Sequence, residues 1–186
     1  IGGTGNLSAD CADRLHQLGH QIYVVTRGRT PLPPAYQPVV ADRRDPDAFR
    51  AATASLTLDA VINFLGYGPT DVELDFSLFR DRIQHYLFIS STTVYAKPHR
   101  QLPLTETSPV GNDYWEYARL KLACEQWLLE QYARHQFPVT IVRPSHTHRT
   151  RFPGGMAGGD DWAWRMLQGK PILVHGDGTA LWTLTH

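Results

Sequence analysis

"IGGTGNLS" occupies residues 1–8 and places three glycines within four positions, directly before an apolar pattern of helical spacing. Glycine adopts backbone conformations that other residues avoid, but it also loses the most conformational freedom on folding. A cluster of glycines therefore indicates a turn that needs that freedom. Two interpretations are open at this point. The turn is either an ordinary surface turn or one whose backbone approaches a pyrophosphate beside the free N–H groups of a helix.

Downstream of this turn, short apolar segments alternate with segments of helical spacing. Helical spacing occurs at 7–18, 46–54, 70–84 and 114–135, and strand-like runs occur at 21–26, 38–42, 59–66, 86–91 and 139–144. Continuous apolar strands are typical of a parallel sheet that is covered by helices on both faces. Because crossovers between parallel strands are right-handed, we expect an α/β fold with a doubly wound, Rossmann-like parallel sheet.

The same alternation predicts the domain organisation. We expect a first domain over residues 1–150, with its first strand cut short because the chain starts directly before the glycines. From residue 151 the pattern is interrupted by Gly, Trp and Pro residues. This change predicts the beginning of a smaller substrate lobe over residues 151–186.

Composition limits the classes of partner. The 186 residues include 18 Lys plus Arg and 18 Asp plus Glu, so no basic excess favours nucleic acid. No apolar run approaches the roughly 20 residues that a membrane span requires, and no signal peptide pattern is present. The two cysteines, Cys11 and Cys124, fall in helix-like segments. We expect them to be buried free thiols in a reducing compartment, the cytoplasm.

A second motif, "YWEYARLKLACE", spans residues 114–125 and contains Tyr117 and Lys121 one helical turn apart. Both side chains then project from one helix face. An ammonium beside a phenol lowers the phenol pKa, which suits a general acid/base. Further upstream, Ser91 follows a predicted strand, at the sheet edge where doubly wound folds carry their chemistry. Taken singly, the Tyr–Lys pair also fits an ordinary helix surface, and the serine fits a strand cap.

In this order, the motifs resemble the extended short-chain dehydrogenase/reductase family, the NAD(P)-dependent epimerase/dehydratase group. "GGTGNLS" resembles its nucleotide turn, "VVADRRD" its adenine-side Asp segment and "VINFLG" its fourth strand. "SSTTVY" is similar to its serine motif and "YARLK" to its Tyr-Lys motif. "RP" at 143–144 and "HGDGTALWTLTH" resemble the start of its substrate lobe. Family members extend further, so we expect a C-terminal portion to be missing.

The resemblance implies a set of catalytic and substrate-binding residues. Tyr117 would be the acid/base, Lys121 would bind the nicotinamide ribose and lower the tyrosine pKa, and Ser91 would hydrogen-bond the reacting oxygen. Thr93 and His146 would complete the substrate site. Because side chains alternate along a strand, we expect Ser91 and Thr93 to share one face.

The resemblance also implies a cofactor site. A pyrophosphate would lie against the glycine turn, the adenine would meet Asp42, and the fourth strand would line the dinucleotide. The residues implied are Gly2, Gly5, Asn6, Leu7, Arg27, Asp42, Phe64, Leu65, Gly66, Tyr117, Lys121 and Pro144.

One departure from the family pattern concerns the cofactor. NAD-type members usually have an acidic residue at the end of the second strand, where this chain has Thr26 followed by Arg27. Without that carboxylate a ribose 2′-phosphate is not repelled, and Arg27 could bind it. NADP(H) is therefore favoured over NAD(H). The alternative is that Arg27 is a solvated loop arginine.

Other departures concern the substrate. Thr92 and Thr93 replace the Asp-Glu pair of 4,6-dehydratases, so dehydration by that mechanism is not expected. His146 and Trp182 stand where sugar-nucleotide members carry Asn and Arg near the diphosphate. That puts a nucleotide-sugar substrate in doubt, although Arg149, Arg151 or Arg165 could substitute. His146 and His148 lack the further Cys or carboxylates of a metal site, so we expect no metal.

The function expected from these features is an NAD(P)-dependent oxidoreductase or epimerase acting on a hydroxyl or carbonyl of a sugar or sugar-nucleotide-like substrate. Two alternatives stay open. One is an NADPH-dependent reductase of a non-sugar carbonyl, and the other is a non-catalytic dinucleotide-binding or RNA-associated protein on the same fold. A small-molecule substrate is the expected partner, neither nucleic acid nor membrane is expected, and a homodimer is left open.

Overall fold

The structure is a computed structural model that describes residues 1–148, 159–174, 176–179 and 183–185. Its helices are α1 (Asn6–Gln17), α2 (Pro46–Thr53), α3 (Pro69–Phe79), α4 (Glu116–His135) and α5 (Gly159–Leu167). Its strands are β1 (Tyr23–Thr26), β2 (Gln37–Val40), β3 (Ala60–Asn63), β4 (His85–Ile89), β5 (Val139–Val142), β6 (His146–Thr147) and β7 (Leu184–Thr185). The predicted alternation of strands and helices is confirmed through β5.

The strands that carry the site pair in parallel. β1 pairs with β2, and β4 lies between β3 and β5. The two ladders meet at the first two residues: the Gly2 N–H donates to the Val25 carbonyl at 3.4 Å, and the Phe64 N–H donates to the Ile1 carbonyl at 3.1 Å. The order across the sheet is therefore β2, β1, Ile1–Gly2, β3, β4, β5. This order confirms the doubly wound, Rossmann-like parallel sheet.

Local sequence explains where the helices around the site begin. Asp45 precedes α2, and its side chain accepts the Ala48 N–H at 3.0 Å, while Pro46 occupies the first helical position. Gly68 precedes α3, and its N–H donates to the Asp71 carboxylate at 3.1 Å. Each of these helices starts from a loop that follows a strand, so the loops face the same edge of the sheet.

The core lies between the sheet and the helices. Its fully buried side chains include Phe49, Phe79, Tyr86, Phe88 and Phe137. Helices α3 and α4 pack together, with the rings of Phe76 and Trp127 in edge-to-face contact at 5.4 Å. Cys124 is buried in this core and Cys11 is partly buried, and both are free thiols.

Beyond β5, β6 pairs in parallel with β7, which joins the His146 segment to a segment near the end of the chain. Residues 151–158, like several positions between 175 and 186, lie outside the described residues. The division into a domain at 1–150 and a lobe at 151–186 therefore stays a prediction. Among the described residues, no helix has both the length and the apolar character needed to cross a membrane.

Candidate active site

A cleft of about 920 Å³ opens along the edge of the sheet where the parallel strands end. Its walls come from the glycine turn and from the loops that follow β1, β2, β3, β4 and β5. This is the edge at which open parallel sheets bind ligands. The volume falls within the range of about 300–1,000 Å³ that is typical of small-molecule and cofactor sites.

The glycine turn forms one wall, and its backbone requires glycine. Gly2 has φ +76°, in the left-handed region, and a Cβ built there would lie 2.8 Å from the Leu65 Cγ. A Cβ on Gly3 would lie 2.7 Å from a Val24 methyl. Ser8, which stands where a third glycine often falls, is buried, and its Oγ accepts the Gly5 N–H at 2.9 Å. The turn therefore leads directly into α1 with its backbone against the cleft.

Ser91, Tyr117 and Lys121 meet on the opposite wall. Ser91 follows β4, whereas Tyr117 and Lys121 project from the first turns of α4. The Ser91 side chain lies close enough to the Tyr117 phenol to lower its pKa. The Lys121 ammonium donates to the Ile89 carbonyl at 2.7 Å and lies 5.8 Å from the Tyr117 ring centroid. All three side chains line the cleft.

The ionisation of Tyr117 differs from expectation. Burial raises the pKa of Tyr117, the neighbouring Tyr67 raises it further, and the Ser91 side chain offsets part of the increase. Burial also lowers the pKa of Lys121, to about 8. The prediction that Lys121 lowers the tyrosine pKa is therefore wrong in this structure, because the ammonium is directed to the Ile89 carbonyl. At neutral pH the phenol is protonated.

Thr93 contacts Ser91 for a reason that strand alternation did not predict. β4 ends at Ile89, and Thr92–Val94 form a 3₁₀ turn with Ser91 as its cap. In that turn the Ser91 Oγ accepts both the Thr93 N–H, at 3.2 Å, and the Thr93 hydroxyl, at 3.0 Å. The expected shared strand face is wrong. Thr93 orients the Ser91 hydroxyl and is not among the residues that line the cleft.

Most of the implied cofactor residues line the same cleft. They are Gly2, Gly5, Leu7, Arg27, Asp42, Phe64, Leu65, Tyr117, Lys121 and Pro144. Asn6 begins α1, but its side chain lies outside the described part of the chain. Gly66 packs inside instead of lining the cleft, since a Cβ there would lie 2.7 Å from the Phe88 ring.

The implied substrate residues beyond β5 are placed less fully. His146 lies in β6 and is not part of the cleft wall, whereas its neighbours Ser145 and Thr147 are. Arg165 is directed to the Pro171 carbonyl, at 2.7 Å. Trp182, Arg149 and Arg151 lie outside the described residues. Among the described residues, no three His, Cys, Asp or Glu side chains gather as a metal site would require.

Residues 74–186 match the model of the NAD dependent epimerase/dehydratase family. This chain belongs to that family. The matched segment contains Ser91, Tyr117 and Lys121, and the glycine turn precedes it.

Similar proteins include a curated relative and many solved structures. The 2′-dehydrokanamycin reductase of Streptomyces kanamyceticus is 28% identical over all of this chain, which spans 53% of that protein, about half its length. The dTDP-glucose 4,6-dehydratase of Bacillus anthracis, solved with NAD, is 17% identical with a TM-score of 0.76 over 95% of this chain and 63% of its own. The UDP-glucose 4-epimerase of Thermotoga maritima, solved with UDP-glucose, is 15% identical with a TM-score of 0.78 over 98% of this chain and 67% of its own. The two structural likenesses show the fold.

Several cleft residues of this family member were not predicted from sequence. Arg29, Thr30 and Arg44 line the cleft together with Arg27, and the three arginines are exposed. The sequence did carry a signal for these arginines. The segments "RGR" and "DRRD" each place a further arginine close to a residue that the cofactor prediction names, Arg27 or Asp42. Ser90 also lines the cleft, and its buried hydroxyl has no hydrogen-bond partner among the described residues.

A buried polar cluster supports the cleft from below, and sequence reasoning missed it. We call Arg43, Asn63, Asp75 and Tyr86 the Arg43 cluster. The guanidinium pairs with the Asp75 carboxylate at 3.0 Å and donates to the Asn63 Oδ1 at 3.2 Å, while the Tyr86 hydroxyl donates to Asp75 at 2.6 Å. The Asn63 Oδ1 also accepts the Leu65 N–H at 2.7 Å. The cluster therefore ties the loop after β2 to the loop after β3, and both loops line the cleft.

Proposed function

We propose that this chain provides the cofactor site and the acid/base residues of an NAD(P)-dependent oxidoreductase acting on a hydroxyl or carbonyl of a sugar. The observation that carries the proposal is that Ser91, Tyr117 and Lys121 line the same cleft as the glycine turn. The residues that would hold a dinucleotide therefore share one cleft with a hydroxyl and a phenol that can bind and protonate the substrate oxygen. Membership of the family supports the same reaction class.

The residues present fit a dinucleotide. Gly2 and Gly3 leave no room for a Cβ, so the backbone itself forms the wall, and α1 starts directly after the turn with its first N–H groups free for a phosphate. Asp42 and three exposed arginines line the cleft near the ends of β1 and β2. The cofactor would supply or accept the hydride. The protein's contribution is then to bind, to orient and to move one proton.

Tyr117 is proposed as the group that moves that proton. Because its phenol is protonated at neutral pH, it is ready to donate to the oxygen of a carbonyl that gains a hydride. Ser91 would hydrogen-bond the same oxygen and stabilise its developing charge. The Lys121 ammonium is held at the Ile89 carbonyl, 5.8 Å from the centroid of the Tyr117 ring.

The test is an assay of the purified protein with NADPH and a ketone on a sugar ring. We choose two substrates. The first is 2′-dehydrokanamycin with NADPH, because that compound is named for the curated relative. The second is UDP-glucose with the oxidised cofactor, because a similar structure was solved with that sugar nucleotide. We expect turnover of at least one of these pyranosides. Tight NADPH binding without turnover of either would favour the non-catalytic alternative.

The first prediction concerns cofactor preference. We expect NADPH to bind about ten- to a hundredfold more tightly than NADH, because a charge-assisted hydrogen bond is worth roughly 1.5–3 kcal/mol. Arg27→Ala should remove most of this preference while leaving the NADH affinity unchanged. Isothermal titration with both cofactors measures it, and Arg134→Ala, at the far end of α4, is the matched control. Equal affinities in the wild-type protein would rule out the NADP assignment.

The second prediction compares two hydroxyls. Ser91→Ala should lower turnover by about 10²–10³-fold, the usual effect of deleting one donor to a developing oxyanion. Thr93→Val removes only the hydroxyl that donates to the Ser91 Oγ, so we expect a loss of less than about tenfold. Steady-state kinetics on variants with matched melting temperatures make the comparison. If Thr93→Val is as damaging as Ser91→Ala, the two residues have been assigned the wrong way round.

A further inference from the structure

Two half-exposed aromatic rings contact the proposed acid/base tyrosine. The Tyr67 ring lies 6.4 Å from the Tyr117 ring between centroids, and the Trp115 ring lies 5.0 Å from it. Tyr67 is 51% exposed and Trp115 is 53% exposed. Large aromatic side chains contribute most when they are covered, so two open rings beside a reactive group mark a surface that gains free energy when a ligand covers it.

Both residues are anchored through their backbones while their rings stay half exposed. The Asp71 carboxylate accepts the backbone N–H groups of Tyr67, at 2.8 Å, and of Gly68, at 3.1 Å. The Lys121 ammonium lies 5.2 Å from the Tyr67 ring centroid, which adds a cation–π contact. Tyr67 is thus fixed by its backbone and by one face of its ring, and it lines the cleft beside Ser91 and Tyr117.

The Trp115 backbone is fixed from the other element, and its ring borders Tyr117 outside the residues that line the cleft. It precedes α4 in an extended conformation, and its carbonyl accepts the N–H groups of Ala118, at 3.0 Å, and Arg119, at 3.2 Å. Because Tyr67 comes from the loop after β3, the two rings approach Tyr117 from different parts of the fold. Aromatic side chains have few rotatable bonds and lose little conformational entropy when a ligand covers them, which suits a binding surface.

We propose that Tyr67 and Trp115 form an aromatic platform that binds the C–H face of a pyranose ring and presents its reacting carbon to Tyr117. The proposal rests on the proposed function and names its substrate class. A pyranose has one apolar face of C–H groups and a rim of hydroxyls, so it can cover an aromatic ring while its C–O group reaches a phenol. An acyclic carbonyl compound has no such face and gains nothing from the platform.

The experiment removes each ring in turn. Tyr67→Ala and Trp115→Ala should each raise KM for the pyranoside that is turned over by about three- to tenfold, the amount that corresponds to one aromatic contact. The kcat should change less, because Tyr117, Ser91 and Lys121 are retained. Tyr67→Phe and Trp115→Phe keep a ring and should restore KM. Tyr114→Ala removes a neighbouring ring that is 81% exposed and serves as the matched control.

Three further measurements separate the outcomes. KM for dihydroxyacetone, an acyclic ketone, should be the same in all variants, and so should the Kd for NADPH. Unchanged KM for the pyranoside in both alanine variants overturns the platform. A loss of NADPH affinity without a rise in that KM also overturns it, because the rings would then contact the cofactor. If the wild-type protein turns over no sugar, the proposed function fails while the platform is still tested. Calorimetric binding of 2′-dehydrokanamycin and of UDP-glucose should then weaken in the alanine variants, and equal binding of both compounds overturns the proposal.

Discussion

Tyr117→Phe should lower turnover by about 10²–10⁴-fold, the usual contribution of a positioned general acid. The substitution keeps the ring and its contacts with Tyr67 and Trp115 and deletes only the phenol hydroxyl. The Lys121 ammonium does not take over this role, since it is directed to the Ile89 carbonyl. The substitution removes one half-buried hydroxyl and leaves the ring packing intact, so the melting temperature should change by only a few degrees.

Three measurements check this prediction. Single-turnover reduction of the pyranoside reports the chemical step, titration with NADPH reports cofactor binding, and thermal unfolding reports integrity. NADPH binding should be nearly normal in Tyr117→Phe, since the deleted atom faces the substrate side of the proposed site. Tyr114→Phe removes the hydroxyl of a more exposed tyrosine three positions earlier and should have no effect on any of the three. Full activity in Tyr117→Phe would return the "YARLK" segment to an ordinary helix surface.

The fold could be predicted because the residue preferences and the spacing of apolar residues indicated the same helices and strands. β-branched runs such as the "YVVT" of β1 and helical spacing such as that of α2 alternate without conflict, and glycine or proline separates them. The boundaries shifted where a cap decided them. The strand expected at 86–91 ends at Ile89, and Ser91 caps the 3₁₀ turn that follows, although the Thr92 N–H still donates to the Pro144 carbonyl at 3.1 Å. Hydrogen bonds from a side chain to its neighbouring backbone shape such boundaries, and residue types alone predict them only weakly.

The site could be predicted only in part. Spacing and resemblance identified Ser91, Tyr117 and Lys121, and they line one cleft. The direction of the Lys121 ammonium could not be predicted, because it depends on a carbonyl at the end of β4, 32 positions earlier. Tyr67 was missed because an aromatic residue between two glycines reads as an ordinary loop. The lesson is that residue types and spacing predict which groups gather, whereas long-range packing sets their pKa values and partners.

The Arg43 cluster shows this limit most clearly and leads to the last prediction. Asp75 lies on α3 at a position that is fully buried, a place where a carboxylate is costly unless it is paired. Burial raises the pKa of Asp75, and the Arg43 guanidinium offsets part of that increase. Arg43→Met keeps an unbranched apolar stem but leaves the buried carboxyl without its cation. We expect a loss of about 3–5 kcal/mol in the free energy of unfolding, which for a chain of this size lowers Tm by roughly 6–20 °C.

The adjacent Arg44→Met is the matched control, because Arg44 is exposed and a surface substitution usually changes stability by within about 0.5 kcal/mol. The pH dependence has a definite sign. A carboxyl whose folded pKa lies above its unfolded value binds its proton more tightly in the folded state, so its contribution to stability is fully present below the unfolded pKa of about 3.9 and is lost as pH rises through the folded pKa. Removing Arg43 raises that folded pKa further. The Tm difference between Arg43→Met and the wild type should therefore be small near pH 4 and large near pH 7.

A double variant separates charge from packing. Arg43→Met with Asp75→Asn leaves no charge in the Arg43 cluster, while the amide can still accept the Tyr86 hydroxyl and bond to Asn63. We expect it to recover part of the stability that Arg43→Met loses at pH 7, and to have a flatter pH dependence. Chemical denaturation at both pH values measures all four proteins. An equal loss at pH 4 and pH 7, with no recovery in the double variant, would mean that Arg43 acts through packing, including the contact of its guanidinium with the Phe49 ring at 5.8 Å, and that the ion pair with Asp75 contributes little. Recovery would instead show that the buried charge pair of Arg43 and Asp75 constrains the two cleft loops. Asp75 and Asn63 are the groups that connect Arg43 to the Leu65 backbone.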